Sequence, residues 1–185
     1  IAHMWYPMLV GSEETDHIWM DEGLVTYFTR QGRVAFWENA DPWAPNSGYF
    51  RRAGTARETE PFRHGDLFPD VGSLVSASYD KASRVLYVLH GLYGPDALHK
   101  ALRTYADRWT YKHPYPYDFF NTMESVLGDD LDWLWRSMLF ETWTLDQSVA
   151  GVDGSEDGVT IRIRDEGHSM MPTPVTVTYA DGSTH

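Results

Sequence analysis

The 185-residue sequence contains no cysteine. Disulfides and thiolate metal sites are therefore excluded, while the redox compartment stays open. Positive charge is also scarce: 15 Lys and Arg stand against 27 Asp and Glu, for a formal net charge of -12. Nucleic acid and anionic membrane surfaces would both repel such a chain, so neither is an expected partner. No apolar run approaches the roughly 20 residues that a membrane-spanning helix needs. A signal peptide would stand upstream of Ile1, so its absence from these residues carries no information on secretion.

Aromatic residues, by contrast, are abundant. They make up 15% of the sequence, with eight Trp and eleven Tyr, which predicts a large aromatic core. The length suits one good core, or one domain and part of another. The acidic balance predicts a solvated negative face, and an acidic cleft would favour a ligand bearing a free amino group.

Residues 1–10 read as the end of a helix, broken by Gly11-Ser12. Thr15 or Asp16 is suited to cap a second helix reaching Gln31, with Gly32 as its stop. The stretch from Asn39 to Gly72 is rich in Pro, Gly and charge, with a short helix expected near Tyr49–Ala56; its length favours a functional loop over a linker. Helical spacing returns over Ser76–Tyr93, Pro95–Trp109, Tyr117–Leu127 and Asp130–Trp143. Short helices with brief connections pack as antiparallel neighbours. After Leu145 the period changes to two, in residues 159–164 and 175–179, the latter leading into Ala180-Asp181-Gly182. Two or three strands are not stable alone in water, so a second, β-rich domain is expected to begin here.

Two residues stand out for chemistry. His3 and Glu22 are separated by eighteen residues, and Glu22 sits in Trp19-Met20-Asp21-Glu22-Gly23, an acid in an otherwise apolar helix. Burying such an acid is expensive without a cation or hydrogen-bond partners. If His-Glu stood immediately before Ile1, the whole would read as HExxH followed by a distal Glu, the signature of a helix-borne zinc hydrolase. Zinc in such sites takes three protein ligands and keeps a fourth position for water. Asp21 could serve as an acceptor behind the ligands, or be an ordinary exposed helix acid.

The run IAHMWYPMLVGSEETDHIWMDEGLVTYF resembles the zinc-binding stretch of the M1 family of metallopeptidases, the aminopeptidase-N-like gluzincins. Trp5-Tyr6-Pro7-Met8 after the histidine is similar to a bacterial branch of that family. Ser78-Tyr79-Asp80-Lys81-Ala82 resembles its Tyr-x-Lys segment, and RWTYKHPYPYDFFNTMESVLGDDLDWLWRSML the helices that close its catalytic domain. Asp21 stands where Asn is commoner.

The resemblance implies a mainly α fold: the helical C-terminal lobe of a thermolysin-like catalytic domain over residues 1–146, then the first strands of a β-sandwich domain over 147–185. It implies Zn2+ as cofactor, His3 and Glu22 as metal ligands, and Tyr79 as the oxyanion donor. The first zinc His, the catalytic Glu and the motif that holds the substrate's amino terminus would all lie before Ile1, leaving the 185 residues alone inactive. Peptides with a free N-terminus are the implied substrates, and a bacterial periplasmic or secreted location the implied compartment. Two alternatives stay open: a catalytically silent M1-like scaffold or binding domain, and a gluzincin with epoxide hydrolase activity.

Other candidates have plainer readings. His64 reads as a surface loop histidine, and His113 as part of a rigid interhelix turn. Trp37, Trp43, Tyr49 and Phe50 suit a core or a specificity pocket, and Arg162 and Arg164 the wet face of a strand.

Overall fold

In the computed structural model, residues 2–41, 47–155 and 158–184 are described. The fold is mainly helical, followed by two antiparallel strands. The described residues divide into two compact units, 1–144 and 145–185.

The chain begins with a 3-10 turn, Ala2–Met4, and a single helical turn α1, Tyr6–Leu9. The expected continuous helix is interrupted at Trp5 because Pro7 has no N–H to donate back to the previous turn. Helix α2 then runs over Ile18–Phe36 and buries Trp19, Met20, Gly23, Leu24 and Tyr27 along one side. Its ends differ from those expected. His17, not Thr15 or Asp16, occupies the N-cap, and the Asp16 carboxylate pairs instead with His64 Nε2 at 3.1 Å. Gly32 does not stop the helix, since it lacks a left-handed backbone and a mid-helix glycine costs only about 1 kcal/mol.

The long connection is held down at several points. It contains the turn α3, Ser47–Phe50, followed by turns where a helix to Ala56 was expected. Arg52 donates to Ser73 Oγ at 3.0 Å, the Phe62 amide to the Leu139 carbonyl at 2.9 Å, and the Gly65 amide to the Thr15 carbonyl at 2.8 Å. Trp43 lies outside the described residues.

A composite helix follows. Asp70 caps α4, Val71–Leu74, by accepting from the Ser73 amide at 2.8 Å; a π-helical segment, Val75–Lys81, continues it, and α5 covers Ala82–Tyr93. The helix thus starts five residues before the expected Ser76. Gly94, at φ 81°, separates α5 from α6, Pro95–Trp109. Helix α7, Pro116–Leu127, ends on left-handed Gly128. Helix α8, Asp132–Trp135, passes into a second π-helical segment, Arg136–Phe140, three residues short of the expected Trp143.

The core is as aromatic as composition suggests. Trp135 stacks on Phe120 with ring centroids 4.8 Å apart, and Phe120 in turn stacks on Trp19 at 5.8 Å. Tyr105 and Phe119 meet edge to face at 5.2 Å, and Leu89, Leu98, Met123 and Leu139 are fully buried around them. Helix α2 packs on α5 and on the first π-helical segment, and α6 packs on α7 and α5.

In the second unit, β1, Gln147–Ser155, pairs with β2, Gly158–Asp165, with an irregularity between Val149 and Gly151. The expected strand at 159–164 lies inside β2. The one expected at 175–179 does not form; only an isolated Thr178–Thr184 bridge spans the Gly182 turn, because alternation alone cannot make a strand without a partner to pair with. Arg162 and Arg164 are exposed, as expected, and pair with Asp153 and Glu166. Among the described residues, no helix is long and apolar enough to cross a membrane.

Candidate metal centre

Three separate elements bring the centre together. His3 comes from the 3-10 turn, Asp21 and Glu22 from the start of α2, and Tyr79 from the first π-helical segment. Glu22 Oε2 lies 2.6 Å from His3 Nε2. The other oxygen of the same carboxylate, Oε1, accepts a hydrogen bond from the Tyr79 hydroxyl at 2.5 Å. The three residues singled out in the sequence therefore meet at one carboxylate.

Close approach of two helices makes this meeting possible. Gly23, next to Glu22, faces Ala82 and the Ser78 carbonyl across the α2 contact with the π-helical segment. A Cβ there would lie 2.7 Å from Ala82 Cβ, which leaves room for glycine alone.

Asp21 completes the cluster. Its carboxylate is buried, with Oδ1 3.8 Å from His3 Nε2 and without a hydrogen-bond partner. The ligand atoms of His3, Asp21 and Glu22 all lie within 4.8 Å of one another. Burial, followed by the charges of Glu22 and Glu14, pushes the Asp21 carboxyl up to about 7. Burial, followed by the hydrogen bond to Glu22, likewise holds the Tyr79 phenol above its usual range, so it stays protonated and a donor at neutral pH.

These residues fit a divalent cation. An orphaned carboxylate oxygen in a buried position is costly unless a proton or cation meets it. One imidazole nitrogen with carboxylate oxygens is a donor set that suits zinc. A second acidic group, Glu124, Asp130 and Asp132, has no imidazole, and two of its carboxylates already serve the fold. Glu124 Oε1 accepts from Trp135 Nε1 at 2.7 Å, and Asp130 Oδ1 from the Asp132 amide at 3.0 Å.

The remaining candidates stand apart from the centre. His64 caps the 3-10 turn Gly65–Leu67, its Nδ1 accepting from the Asp66 amide, and anchors the loop to Asp16. His113 Nδ1 meets the Gly11 carbonyl oxygen at 2.9 Å, fastening the turn before α7. Trp37 is exposed at the end of α2. Tyr49 and Phe50 belong to α3, which packs on the π-helical segment; Phe50 is exposed and lies under the Arg84 guanidinium, and burial pushes the Tyr49 phenol up to about 12.

Sequence reasoning touched Lys81 only within the Tyr-x-Lys resemblance and missed its partner, Glu58. Their buried ion pair, 2.9 Å from Nζ to Oε1, sits two residues beyond Tyr79. The Tyr-x-Lys likeness marks the lysine, but nothing in the sequence says which acid it meets.

Comparison with known proteins places the chain in a family. The model of the peptidase family M1 domain matches residues 1–143. Aminopeptidase M1-B of Oryza sativa subsp. japonica is 25% identical over 165 residues, covering 85% of this chain and 18% of the relative. Probable aminopeptidase 2 of Sulfurisphaera tokodaii is 22% identical, covering 90% of this chain and 21% of the relative. Tricorn protease-interacting factor F2 of Thermoplasma volcanium is 22% identical, covering 96% and 24%. The chain thus spans about a fifth of the length of these relatives. With a family match over most of its helical unit, the chain belongs to peptidase family M1.

Proposed function

We propose that these 185 residues form a catalytically silent M1 scaffold that carries one side of a zinc aminopeptidase site, and that chemistry needs an HExxH-bearing segment to complete it. The observation that carries this reading is the single carboxylate of Glu22, with His3 Nε2 at 2.6 Å from one oxygen and the Tyr79 hydroxyl at 2.5 Å from the other. Silence follows from the residues: the sequence contains no HExxH, so it offers no such glutamate to deprotonate a water.

In the completed site, His3 and Glu22 would hold the zinc, with Asp21 beside them. Zinc, when bound, would supply Lewis-acid polarisation of a water and a scissile carbonyl. Tyr79 would turn its hydroxyl from Glu22 to the developing oxyanion, a donation worth about 10²–10³ in kcat. The acidic surroundings would favour the free amino group of a peptide's N-terminus. The names of the relatives, two of them aminopeptidases, support that substrate class. Residues 1–146 read as the helical lobe of the catalytic domain, and 147–185, with β1 and β2, as the opening of a β-sandwich domain.

The test compares the 185-residue protein with a longer polypeptide in which an HExxH helix precedes it. Both are assayed on an aminoacyl anilide with and without a chelator. The shorter protein is expected to be inert and the longer one to show chelator-sensitive hydrolysis, lowered about 10²–10³-fold by Tyr79→Phe. Turnover by the 185 residues alone would overturn the silent reading. A longer, zinc-loaded polypeptide inert towards peptides would instead make the whole protein a binding scaffold.

A further inference from the structure

We propose that Lys81 and Glu58 form a buried clamp that positions the Tyr79 hydroxyl on the Glu22 carboxylate. Lys81 ends the π-helical segment that carries Tyr79. Its ammonium donates to Glu58 Oε1 at 2.9 Å and to the Glu141 carbonyl at 2.8 Å. The second oxygen of Glu58, Oε2, accepts from the Gly54 amide at 2.6 Å. Both side chains of the pair are almost wholly buried, at 2% and 5% exposure.

Several physical arguments give this pair a positioning role. Burying two charges gains little net stability compared with apolar packing, so geometry is the better explanation for its presence. A π-helical turn is intrinsically disfavoured and needs support from outside the helix. The clamp supplies that support from two directions, the loop at residues 54–58 and the chain leaving the second π-helical segment at Glu141. Residues two apart on a helix point to different sides. Fixing Lys81 on one side therefore sets the rotation of the segment, and with it the reach of Tyr79 towards α2 on the other. Gly23 against Ala82 fixes the spacing of the helices, and the clamp fixes their rotational register.

The positioning claim rests on the observed contact between Tyr79 and Glu22; its importance for catalysis rests on the reading of Tyr79 given above. The test uses the 185-residue protein labelled with 13Cζ-tyrosine, with the Tyr79 resonance identified by its loss in Tyr79→Phe. Glu22→Gln gives the position of that resonance without the carboxylate acceptor. Glu58→Gln is the decisive variant. Glu58 receives Lys81 on one oxygen and Gly54 on the other, and an amide has a single acceptor oxygen, so one of the two contacts must break at nearly constant shape.

The Tyr79 resonance is expected to move towards its Glu22→Gln position in Glu58→Gln, and further in Lys81→Met, while the resonances of Tyr6 and Tyr105 stay in place. Mere loss of stability would not move one tyrosine selectively in a folded protein. Lys81→Met unfolding while Glu58→Gln shifts the resonance supports the clamp. An unmoved Tyr79 resonance in Glu58→Gln overturns it, whatever Lys81→Met does. Failure of the oxyanion role would show separately, as turnover unaffected by Tyr79→Phe in the longer polypeptide, and would leave the clamp standing.

Discussion

Gly23 and Ala82 bring two helices together where the metal centre forms: a Cβ on Gly23 would lie 2.7 Å from Ala82 Cβ and 3.3 Å from the Ala82 carbonyl carbon. Neither obstacle can swing aside as a long side chain would. Gly23→Ala is therefore expected to destabilise the protein by about 1–3 kcal/mol through overpacking. This outweighs the gain of up to about 1 kcal/mol in helix propensity that alanine brings elsewhere. The check is a lower urea midpoint, with stability returning in the Gly23→Ala, Ala82→Gly double variant. An unchanged or higher midpoint in the single variant would contradict the argument.

Trp135 should be the most sensitive core position. Its ring stacks on Phe120 at 4.8 Å and lies edge-on to Phe119 at 5.9 Å, while Nε1 donates to Glu124 at 2.7 Å. Trp135→Ala removes all of these contacts, with an expected loss of about 3–5 kcal/mol. Trp135→Phe keeps much of the stacking but leaves Glu124 Oε1 with only the longer bond from the Leu131 amide at 3.4 Å, with an expected loss of about 1–3 kcal/mol. Denaturant melts of the two variants measure the difference. Equal losses would mean that the hydrogen bond, rather than the packing, sets the stability here.

What could be read from the sequence follows from how local each signal is. His3 and Glu22 were legible because their spacing and the M1-like motif around them pointed to one pair, whose side chains lie 2.6 Å apart in the folded chain. Helices α6 and α7 were legible because Pro and Gly punctuate them, as at Gly94 and Gly128. Tyr79 emerged only by resemblance, since a tyrosine in a helix says nothing of what its hydroxyl reaches. The π-helical segment, Gly23 against Ala82 and the Lys81–Glu58 pair were not legible, because each depends on contacts between residues distant in the chain. Strand β1 escaped notice because Gln147–Ser155 lacks alternation and carries two glycines, so pairing with β2 defines it.

His99 gives a pH dependence with a definite sign. It lines a cavity of about 220 Å³ with Trp5, Tyr6, Phe28 and Arg103. Burial, followed by the nearby His90 and Arg103, lowers its pKa from the usual 6.5, against a smaller upward pull from Asp96. The unfolded chain therefore binds this proton more readily than the folded one. The stability it contributes is present above 6.5 and is lost as pH falls through the lower folded value. Melting temperatures should decline on acidification below neutrality, and His99→Gln should flatten that decline. An identical decline in the variant would assign it to other groups.

The cation site itself can be tested without any turnover. Zinc at about 100 times its dissociation constant should stabilise the folded 185-residue protein by about 2.7 kcal/mol, and a chelator should reverse the effect. Each kcal/mol corresponds to roughly 2–4 °C in a chain of this size. His3→Ala and Glu22→Ala each remove a donor and should abolish the shift at the same zinc concentration. Asp21→Asn keeps the shape but loses the buried charge beside His3, and should weaken binding by about 10–100-fold. Magnesium, which strongly prefers oxygen ligands, should give little response, because an imidazole nitrogen is one of the three donors. A zinc shift of equal size in His3→Ala and Glu22→Ala would place the ion elsewhere on this acidic surface and remove the basis for a metal centre at Glu22.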